Sequence, residues 1–399
     1  MGFFAPSQTL DKPPAPTIPR CGACGLFETC NSPKIQLAGK GRRKILIVGE
    51  APGETEDEQG KPFIGRAGKL LRESLADCEI QLWEDCWITN ALLCRPPDNR
   101  DPTPDELRAC RPNLVKAIEK LKPEIIVPLG RFGIAAVVSQ VWKEAVGSGQ
   151  RWVGWQIPCQ RWNAWICPTW HPAFIARKIK QPGGSAEGLL FAKHLEKMSE
   201  LRGRPWKNLP DYKSLVRVET DQEAAADWLH RIRDEDVVSF DYETNMLKPD
   251  SDQAKIYSCA VCVNGERAIA YPWYGNAVEA TGVLLRSAAK KIGANIKFEE
   301  RWTHRAFGHG VRNWVWDGNL AAHVLDNRRG ITSVKFQAFV LLGQSIWNDR
   351  TAPFLKGPSN GPSRIAEIDL MDLLEYNGLD AVLEYHIARK QKEVMRENR

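Results

Sequence analysis

From residue 45 to residue 171, short apolar runs alternate with stretches of helical periodicity, and this alternation restricts the fold more than any other feature of the chain. "KILIVGEAPG" reads as a buried strand entering a glycine turn, "AGKLLRESLADC" as a helix and "CWITNALLC" as a strand. "PDELRACRPNLVKAIEKL" follows as a helix, "EIIVPLG" as a strand and "AWICPTWHPAF" as a strand ending in a loop. A strand that is apolar throughout needs cover on both faces, which helices between parallel strands supply. The pattern predicts a parallel α/β sheet. Ligands of such sheets gather beyond the carboxyl ends of the strands, where the GEAPG turn, Asn90, Leu129-Gly130 and His171 fall.

The chain has 399 residues, more than one ordinary core holds, so two domains are expected. The segment "RGRPWKNLPDYKSL" breaks the periodicity and reads as a linker. The expected division is a proline-rich disordered tail over 1–18, a first domain over 19–204 and a second over 205–399. In the second, "WLHRIRDEDVVSFDYETN" runs from helix to strand and "IYSCAVCVNGERAIAYPWY" forms a hairpin about Asn264-Gly265, after which the sequence reads as largely helical. No internal repeat is visible.

No run approaches the roughly 20 apolar residues of a membrane helix. The N-terminus also lacks the basic start and apolar stretch of a signal peptide. The expectation is a cytoplasmic protein of a bacterial or phage-infected cell, with no membrane partner. Eleven cysteines without a sign of secretion point to metal binding, catalysis or burial and away from a disulfide framework. Residues 1–210 hold 30 Lys and Arg against 22 Asp and Glu, a balance of 30 − 22 = +8, while the rest gives 25 − 27 = −2. A basic half suits a polyanion such as nucleic acid, and an acidic excess suits a site that collects divalent cations.

Cys21 and Cys24 form a C-x2-C pair, and Cys94 and Cys110 form a second pair across a proline-rich loop. Four thiolates can close a tetrahedral site, and their softness accepts either zinc or an iron-sulfur cluster. Around these cysteines, "GEAPGETEDEQGKPFIGRAGKLL", "ITNALLCRPPDNRDPTPDELRAC" and "PTWHPA" occur in one order. Together they closely resemble the family 4 uracil-DNA glycosylases, which carry a 4Fe-4S cluster; the likeness covers roughly residues 20 to 200. It implies a three-layer α/β glycosylase fold with Cys21, Cys24, Cys94 and Cys110 as cluster ligands. Cys30, where the family commonly has a basic residue, becomes a bystander, and Cys159 and Cys167 become packing residues.

A glycosylase must turn a base out of the stack, read its Watson-Crick edge and support an oxocarbenium-like sugar as the base leaves as an anion. Phe63, in "KPFIG", is placed to stack on the extruded ring. The Asn90 amide can donate to one uracil atom and accept from another, and His171 can bring an N–H to the uracil O2. By the resemblance one or both of Glu50 and Glu56 contribute to catalysis, and Asn99 to substrate binding. The sequence departs from expectation twice. Ala51 stands where the best-known uracil glycosylases have a water-activating aspartate, as it does in family 4, and the histidine motif reads HPA where serine is frequent.

"VVSFDYETN" sets Asp241 and Glu243 two apart on a strand, so both carboxylates point to one face. "ANIKFEERW" adds Asn295 and Glu299, and "EYNGLDAVLEY" puts Tyr376 and Asp380 one helical turn apart. The series resembles the DEDD-type 3'-5' proofreading exonucleases of family A DNA polymerases, with an RNase H-like α/β fold, over about residues 208 to 395. By that resemblance Asp241, Glu243 and Asp380 bind Mg2+ or Mn2+ for two-metal hydrolysis, and Tyr376 orients the attacking water. Glu299 stands where aspartate is usual and faces the second metal. Asp317, another acid on an apolar segment, reads as a cap or a surface residue.

The chain ends nineteen residues after Asp380, from which no polymerase domain is expected to follow. The overall expectation is a phage-type fusion that excises uracil from DNA and degrades 3' ends. Its substrates would be uracil-containing DNA, single strands or 3' ends, and it would work beside a separately encoded polymerase. The competing readings are a uracil- or single-strand-binding module that tethers an active exonuclease, and a polymerase accessory without glycosylase activity.

Overall fold

The structure, a computed structural model, describes residues 23–179, 185–358 and 361–397. The proline-rich tail and Cys21 lie outside the described residues. The chain forms two compact units, Met1–Leu209 and Pro210–Arg399.

The first unit is built on a five-stranded sheet of β1 (Ile45–Gly49), β2 (Cys86–Asn90), β3 (Ile125–Pro128), β4 (Ile157–Cys159) and β5 (Ala164–Ile166), in the order β2-β1-β3-β5-β4. Every pairing is parallel except β4 with β5. β1 is buried at all its positions, as its unbroken apolar run requires. Ile45 and Ile47 share a core with Leu71 and Leu75 of the helix Arg66–Ala76, Ile175 of Pro172–Lys178 and Phe191 of Ala186–Glu200. Each such side chain contributes roughly 1.5–3 kcal/mol of burial. The helix Gly130–Val138 also lies hard against β1: a Cβ on Gly133 would fall 2.6 Å from the Val48 carbonyl oxygen.

The start of the helix Pro104–Leu121 is set by its cap. Thr103 Oγ1 accepts the Glu106 N–H at 3.2 Å, Glu106 Oε2 accepts the Thr103 N–H at 2.8 Å, and Pro104 opens the first turn. Arg100 adds an ion pair to Glu106 at 2.5 Å. This cap fixes the turn on which Cys110 is presented.

The second unit has six strands: β6 (Val216–Val218), β7 (Val237–Thr244), β8 (Ile256–Val263), β9 (Arg267–Pro272), β10 (Lys290–Gly293) and β11 (Trp314–Asp317). Their order is β11-β10-β7-β8-β9-β6. Asn264 and Gly265, at φ 54° and 72°, make the turn of the β8–β9 hairpin, as the Asn-Gly pair predicts. β10 and β11 correct the expectation of largely helical sequence after that hairpin. Each has four residues, "KKIG" and "WVWD", too few for a period to show, and β10 is held as a strand by parallel pairing with β7 and β11.

Alternation along β7 sorts its side chains. Val238, Phe240 and Tyr242 enter a core with Leu229, Leu285 and Trp302. Ser239, Asp241 and Glu243 belong to the other face, towards the helix Leu370–Glu397; Ser239 Oγ donates to the Ala381 carbonyl at 2.6 Å. Small residues let this helix lie close to the sheet. Ala260, Ala270 and Ala381 pack together, and a Cβ on Gly378 would fall 2.3 Å from Val216 Cγ1. The close approach delivers the helix's acids to β7. Among the described residues, no helix is long and apolar enough to cross a membrane.

Candidate functional site

A cleft of about 900 Å³ opens beyond the carboxyl ends of β1 to β3, and Glu50, Phe63, Asn90, Asn99, Arg131 and His171 are among its lining residues. Phe63 has a left-handed backbone, φ 58°, a conformation that costs a non-glycine residue on the order of 1 kcal/mol. Two contacts hold it. Arg72 Nη1 donates to the Phe63 carbonyl at 2.7 Å, and Gly68 admits that carbonyl where a Cβ would sit 1.8 Å away. Glu56 also lines the cleft, but its Oε1 accepts the Gly65 N–H at 2.9 Å. That carboxylate braces the turn that presents Phe63.

Asn90, 4% exposed, ends β2 beside Gly49. A Cβ on Gly49 would fall 2.2 Å from Asn90 Oδ1 and 2.6 Å from Phe63 Cζ, so glycine is what lets both side chains close on the end of β1. The Phe63 and His171 rings stand 6.3 Å apart between centroids, tilted by 33°. His171 caps its helix: Nδ1 accepts the Ala173 N–H at 3.2 Å, which leaves the ring proton on Nε2. Burial, with Arg177 adding to it, pushes the imidazole pKa down to about 4, so the ring is a neutral N–H donor.

Glu50 is raised above the usual carboxylate range by burial and by Asp101, while Arg131 and Arg177 oppose the shift. Arg131 and Asp101 form an ion pair. Asn99, at φ 53°, has its Oδ1 held by Arg95 Nε at 2.8 Å. The turn after Glu50 offers Ala51, which lines the cleft without a carboxylate.

Cys30 and Cys110 adjoin Cys94 at the loop that follows β2. Cys94 Sγ accepts the Lys34 N–H at 3.3 Å. Burial, reinforced by those neighbours, pushes the Cys94 thiol up to about 12. Asn113 Nδ2 reaches Cys110 Sγ at 3.7 Å. Cys24 is half-buried two residues before the short helix Leu26–Glu28. Soft thiols from separate segments, with a backbone N–H directed at one sulfur, suit a metal cluster. Cys30, set aside on sequence grounds, stands against Cys94. Cys159 and Cys167 are buried, the latter in the sheet's core.

In the second unit, ligand oxygens of Asp241, Glu243 and Asp380 lie within 4.8 Å of one another. Asn377 Nδ2 donates to Asp241 Oδ2 at 2.7 Å, and its own Oδ1 accepts Ser258 Oγ at 2.9 Å. Trp347 Nε1 donates to Asp380 Oδ1 at 2.8 Å, and the Tyr376 hydroxyl hydrogen-bonds to the same carboxylate. Burial holds Asp241 and Glu243 well above the usual carboxylate range, with repulsion from their acidic neighbours adding to it. Asp380 is pushed up to about 6 by burial, against the pull of Lys335, Tyr376 and Trp347. Lys335 Nζ lies 5.6 Å from the Tyr376 ring centroid. Such a group of carboxylates is stabilised in its charged form by a divalent cation.

Glu299 is buried beside Asp241 and also held above its usual range by burial; it is not one of the three acids gathered within 4.8 Å. Asp317 caps the helix Gly318–Leu325 by accepting the Asn319 and Leu320 N–H groups at 2.9 and 3.1 Å, and it accepts the Asn295 N–H at 3.1 Å. Sequence reasoning missed Trp347, Lys335, Asn377, Asp101, Arg131 and Arg177. Asn377 alone carried a signal, since it lies between Tyr376 and Asp380 in the quoted motif.

Comparison with known proteins agrees with this geometry. A profile described as "Uracil DNA glycosylase superfamily" matches residues 38–196, and one described as "3'-5' exonuclease" matches residues 216–396. The type-4 uracil-DNA glycosylase of Archaeoglobus fulgidus is 36% identical over 197 residues, 49% of this chain and 94% of the relative. A DNA polymerase of Bacillus phage SP01 is 27% identical over 326 residues, 73% of this chain and 34% of the polymerase. Among solved structures, Escherichia coli RNase D aligns with a TM-score of 0.37 at 12% identity, covering 46% of this chain and 45% of its own. The chain belongs to the type-4 uracil-DNA glycosylase family through its first unit, and it joins that domain to a 3'-5' exonuclease domain in the second.

Proposed function

We propose that the protein excises uracil from DNA by hydrolysis of the N-glycosidic bond and removes nucleotides from 3' ends by phosphodiester hydrolysis. The glycosylase comprises residues 19–204 and the exonuclease 205–399. The observation that carries the reading is the convergence of Phe63, Asn90 and a neutral His171 on one cleft. Phe63 stacks on the extruded base. Asn90 reads its edge, and its paired donor and acceptor favour uracil over cytosine. His171 Nε2–H meets the oxygen on which negative charge builds as the base departs. Glu50 supports the positive sugar, Glu56 positions Phe63, and Asn99 contacts the strand at the rim.

Cys21, Cys24, Cys94 and Cys110 hold a 4Fe-4S cluster, with Cys30 as the rival for one position. When bound, the cluster cross-links the N-terminal segment, the loop over 95–109 and the helix that bears Cys110. A brown anaerobic preparation absorbing near about 400 nm, as thiolate-to-iron charge transfer requires, distinguishes it from zinc.

In the second unit Asp241, Glu243 and Asp380 hold Mg2+ or Mn2+, whose charge, when bound, stabilises the attacking and leaving oxygens. Tyr376, hydrogen-bonded to Asp380, orients the attacking water. Asn377 and Trp347 keep the carboxylates aligned, and Glu299 adds negative charge beside Asp241. The likeness to part of a phage DNA polymerase across both units supports a replication setting in a bacterial or phage-infected cell; a separately encoded polymerase as its partner is part of this proposal.

The test incubates the full chain with uracil-containing and normal single strands, with and without EDTA. Uracil release persists in EDTA and 3' digestion stops. Tight uracil-dependent binding with no abasic product would replace excision by capture. Digestion that persists in EDTA would remove the metal-dependent nuclease.

A further inference from the structure

The helix Glu54–Gln59 reads "ETEDEQ", without one apolar side chain, and spans fewer than two turns. Alone in water so short a helix does not persist, and its acids tie it to the rest of the unit. Asp57, 1% exposed, accepts the Asn31 N–H at 3.0 Å on Oδ2 and the Ser32 N–H at 2.9 Å on Oδ1. Both donors follow Cys30 directly. The same segment continues to the Lys34 N–H on Cys94 Sγ at 3.3 Å and the Ile35 N–H on the Leu93 carbonyl at 2.8 Å. Glu56 precedes Asp57 and points about 100° round the helix from it. Its carboxylate takes the Gly65 N–H at 2.9 Å and fills the space beside Gly53 and Gly65, where Cβ atoms would fall 2.7 Å and 3.1 Å from its oxygens. Glu54 adds an ion pair to Arg95 at 3.6 Å, but its side chain is 69% exposed and the pair is weak. Asp57, buried with both oxygens occupied, is the firm link.

Neighbouring residues of one small helix thus hold the cysteine segment on one side and, through Gly65, the turn of Phe63 on the other. We propose that Asp57 is a positioning residue for uracil excision: it transmits the state of the thiol site to the base pocket, so that filling the thiols with metal and seating Phe63 against uracil are one coupled event. With metal bound, Cys94 and its neighbours fix residues 30–35, whose backbone N–H groups set the position of Asp57. Glu56 moves with Asp57 on the same helix, and the turn that carries Phe63 at φ 58° moves with Gly65. A backbone conformation of that kind persists only where its surroundings impose it, which makes the Phe63 turn responsive to its brace. The coupling is reciprocal: uracil in the pocket tightens the hold on the metal by the factor by which the metal tightens the hold on uracil. The proposal rests on the cluster reading for what fills the thiols and goes beyond it by joining that site to base recognition.

The experiment uses the full chain purified without air, with its cluster, and a single strand carrying 2'-fluoroarabino-uridine, whose glycosidic bond resists cleavage. It follows the loss of visible absorbance in excess iron chelator and, with ordinary uracil strands, the single-turnover rate against DNA concentration. In the wild type the uracil analogue slows loss of the cluster by about fivefold or more, the low end of allosteric couplings, and a thymine strand does not. E56A, whose side chain lies outside the contacts of the cysteine segment, loses that protection while its cluster decays at the wild-type rate without DNA. D57A loses the protection and also sheds the cluster faster. Both raise the half-saturating DNA concentration by about tenfold with 3' digestion unchanged, and the double variant is no worse than the more severe single one, since each cuts the same link. D57N, which keeps one acceptor, falls between D57A and the wild type. Protection that survives in E56A or D57A, no protection in the wild type, or additive losses in the double variant would overturn the proposal and leave Asp57 a local brace of the fold. A colourless wild type would overturn the cluster reading instead, and the non-additivity of the two substitutions would still decide the link between Asp57 and Phe63.

Discussion

The protonation state of His171 gives a sharp test of the glycosylase site. Its pKa is pushed from 6.5 down to about 4 by burial and by Arg177. At about 1.4 kcal/mol for each tenfold loss of proton affinity, the imidazolium costs roughly 3 kcal/mol in the folded cleft. The geometry gives an independent reason for the direction. Nδ1 accepts the Ala173 N–H at 3.2 Å, and protonating it would set a donor against a donor. At pH 6 only about 1% of the ring would be charged. Single-turnover release of uracil should therefore be flat, on the histidine's account, from pH 8 down to about 5.5, where an unperturbed histidine would already be mostly charged.

H171A should lower the rate by about 100-fold or more, the usual loss of a donor aimed at developing negative charge, and H171Q, which keeps an N–H, by less. Stability carries the same sign. The unfolded chain takes up a proton near pH 6.5 while the folded one resists until about 4. The depressed pKa thus contributes stability that is present above the unfolded value and lost as pH falls through the window from 6.5 to about 4. H171Q lacks that loss, so the stability gap between it and the wild type should move in favour of the variant by about 3 kcal/mol between pH 8 and pH 4. An acid limb in the wild-type rate with a midpoint near 6.5, absent from H171Q, would refute the reasoning and make the imidazolium the active form.

Three further outcomes follow from the contacts. G49A places a methyl carbon 2.2 Å from Asn90 Oδ1 and 2.6 Å from Phe63 Cζ; displacing the two by about 1 Å should cost uracil release on the order of 100-fold while 3' digestion of the same preparation is unchanged. W347F removes the donor that holds Asp380 Oδ1 at 2.8 Å, and losing a hydrogen bond to a charged group, about 1.5–3 kcal/mol, should slow 3' digestion by about tenfold or more with uracil release intact. C94S should abolish absorbance near about 400 nm, whereas C30S should retain it; loss in C30S would give Cys30, and not Cys21, the fourth place on the cluster.

The parts of these sites that were legible in the sequence are those set by a local period. Asp241 and Glu243 share a face because side chains alternate along a strand, and Tyr376 and Asp380 do so because a helix turns in 3.6 residues; both relations hold before any tertiary contact exists. The strand and turn signals around Gly49, Asn90 and His171 were likewise local, because sheet order brings strand ends together whatever the loops contain. Trp347 and Lys335 reach the acids only through the packing of segments far apart in the chain. Neither has a spacing that could announce it.

Motif membership does not say which oxygens of an acid are already occupied. Glu56 stands among the glycosylase motif's acids, yet its Oε1 is occupied by the Gly65 N–H, and a carboxylate so engaged shapes a loop before it does chemistry. Asp317, read from the sequence as a cap or a surface residue, has its oxygens taken by the N–H groups of a helix start and of Asn295. Which carboxylate remains free for a cation or a sugar is decided by which backbone donors the fold leaves facing it.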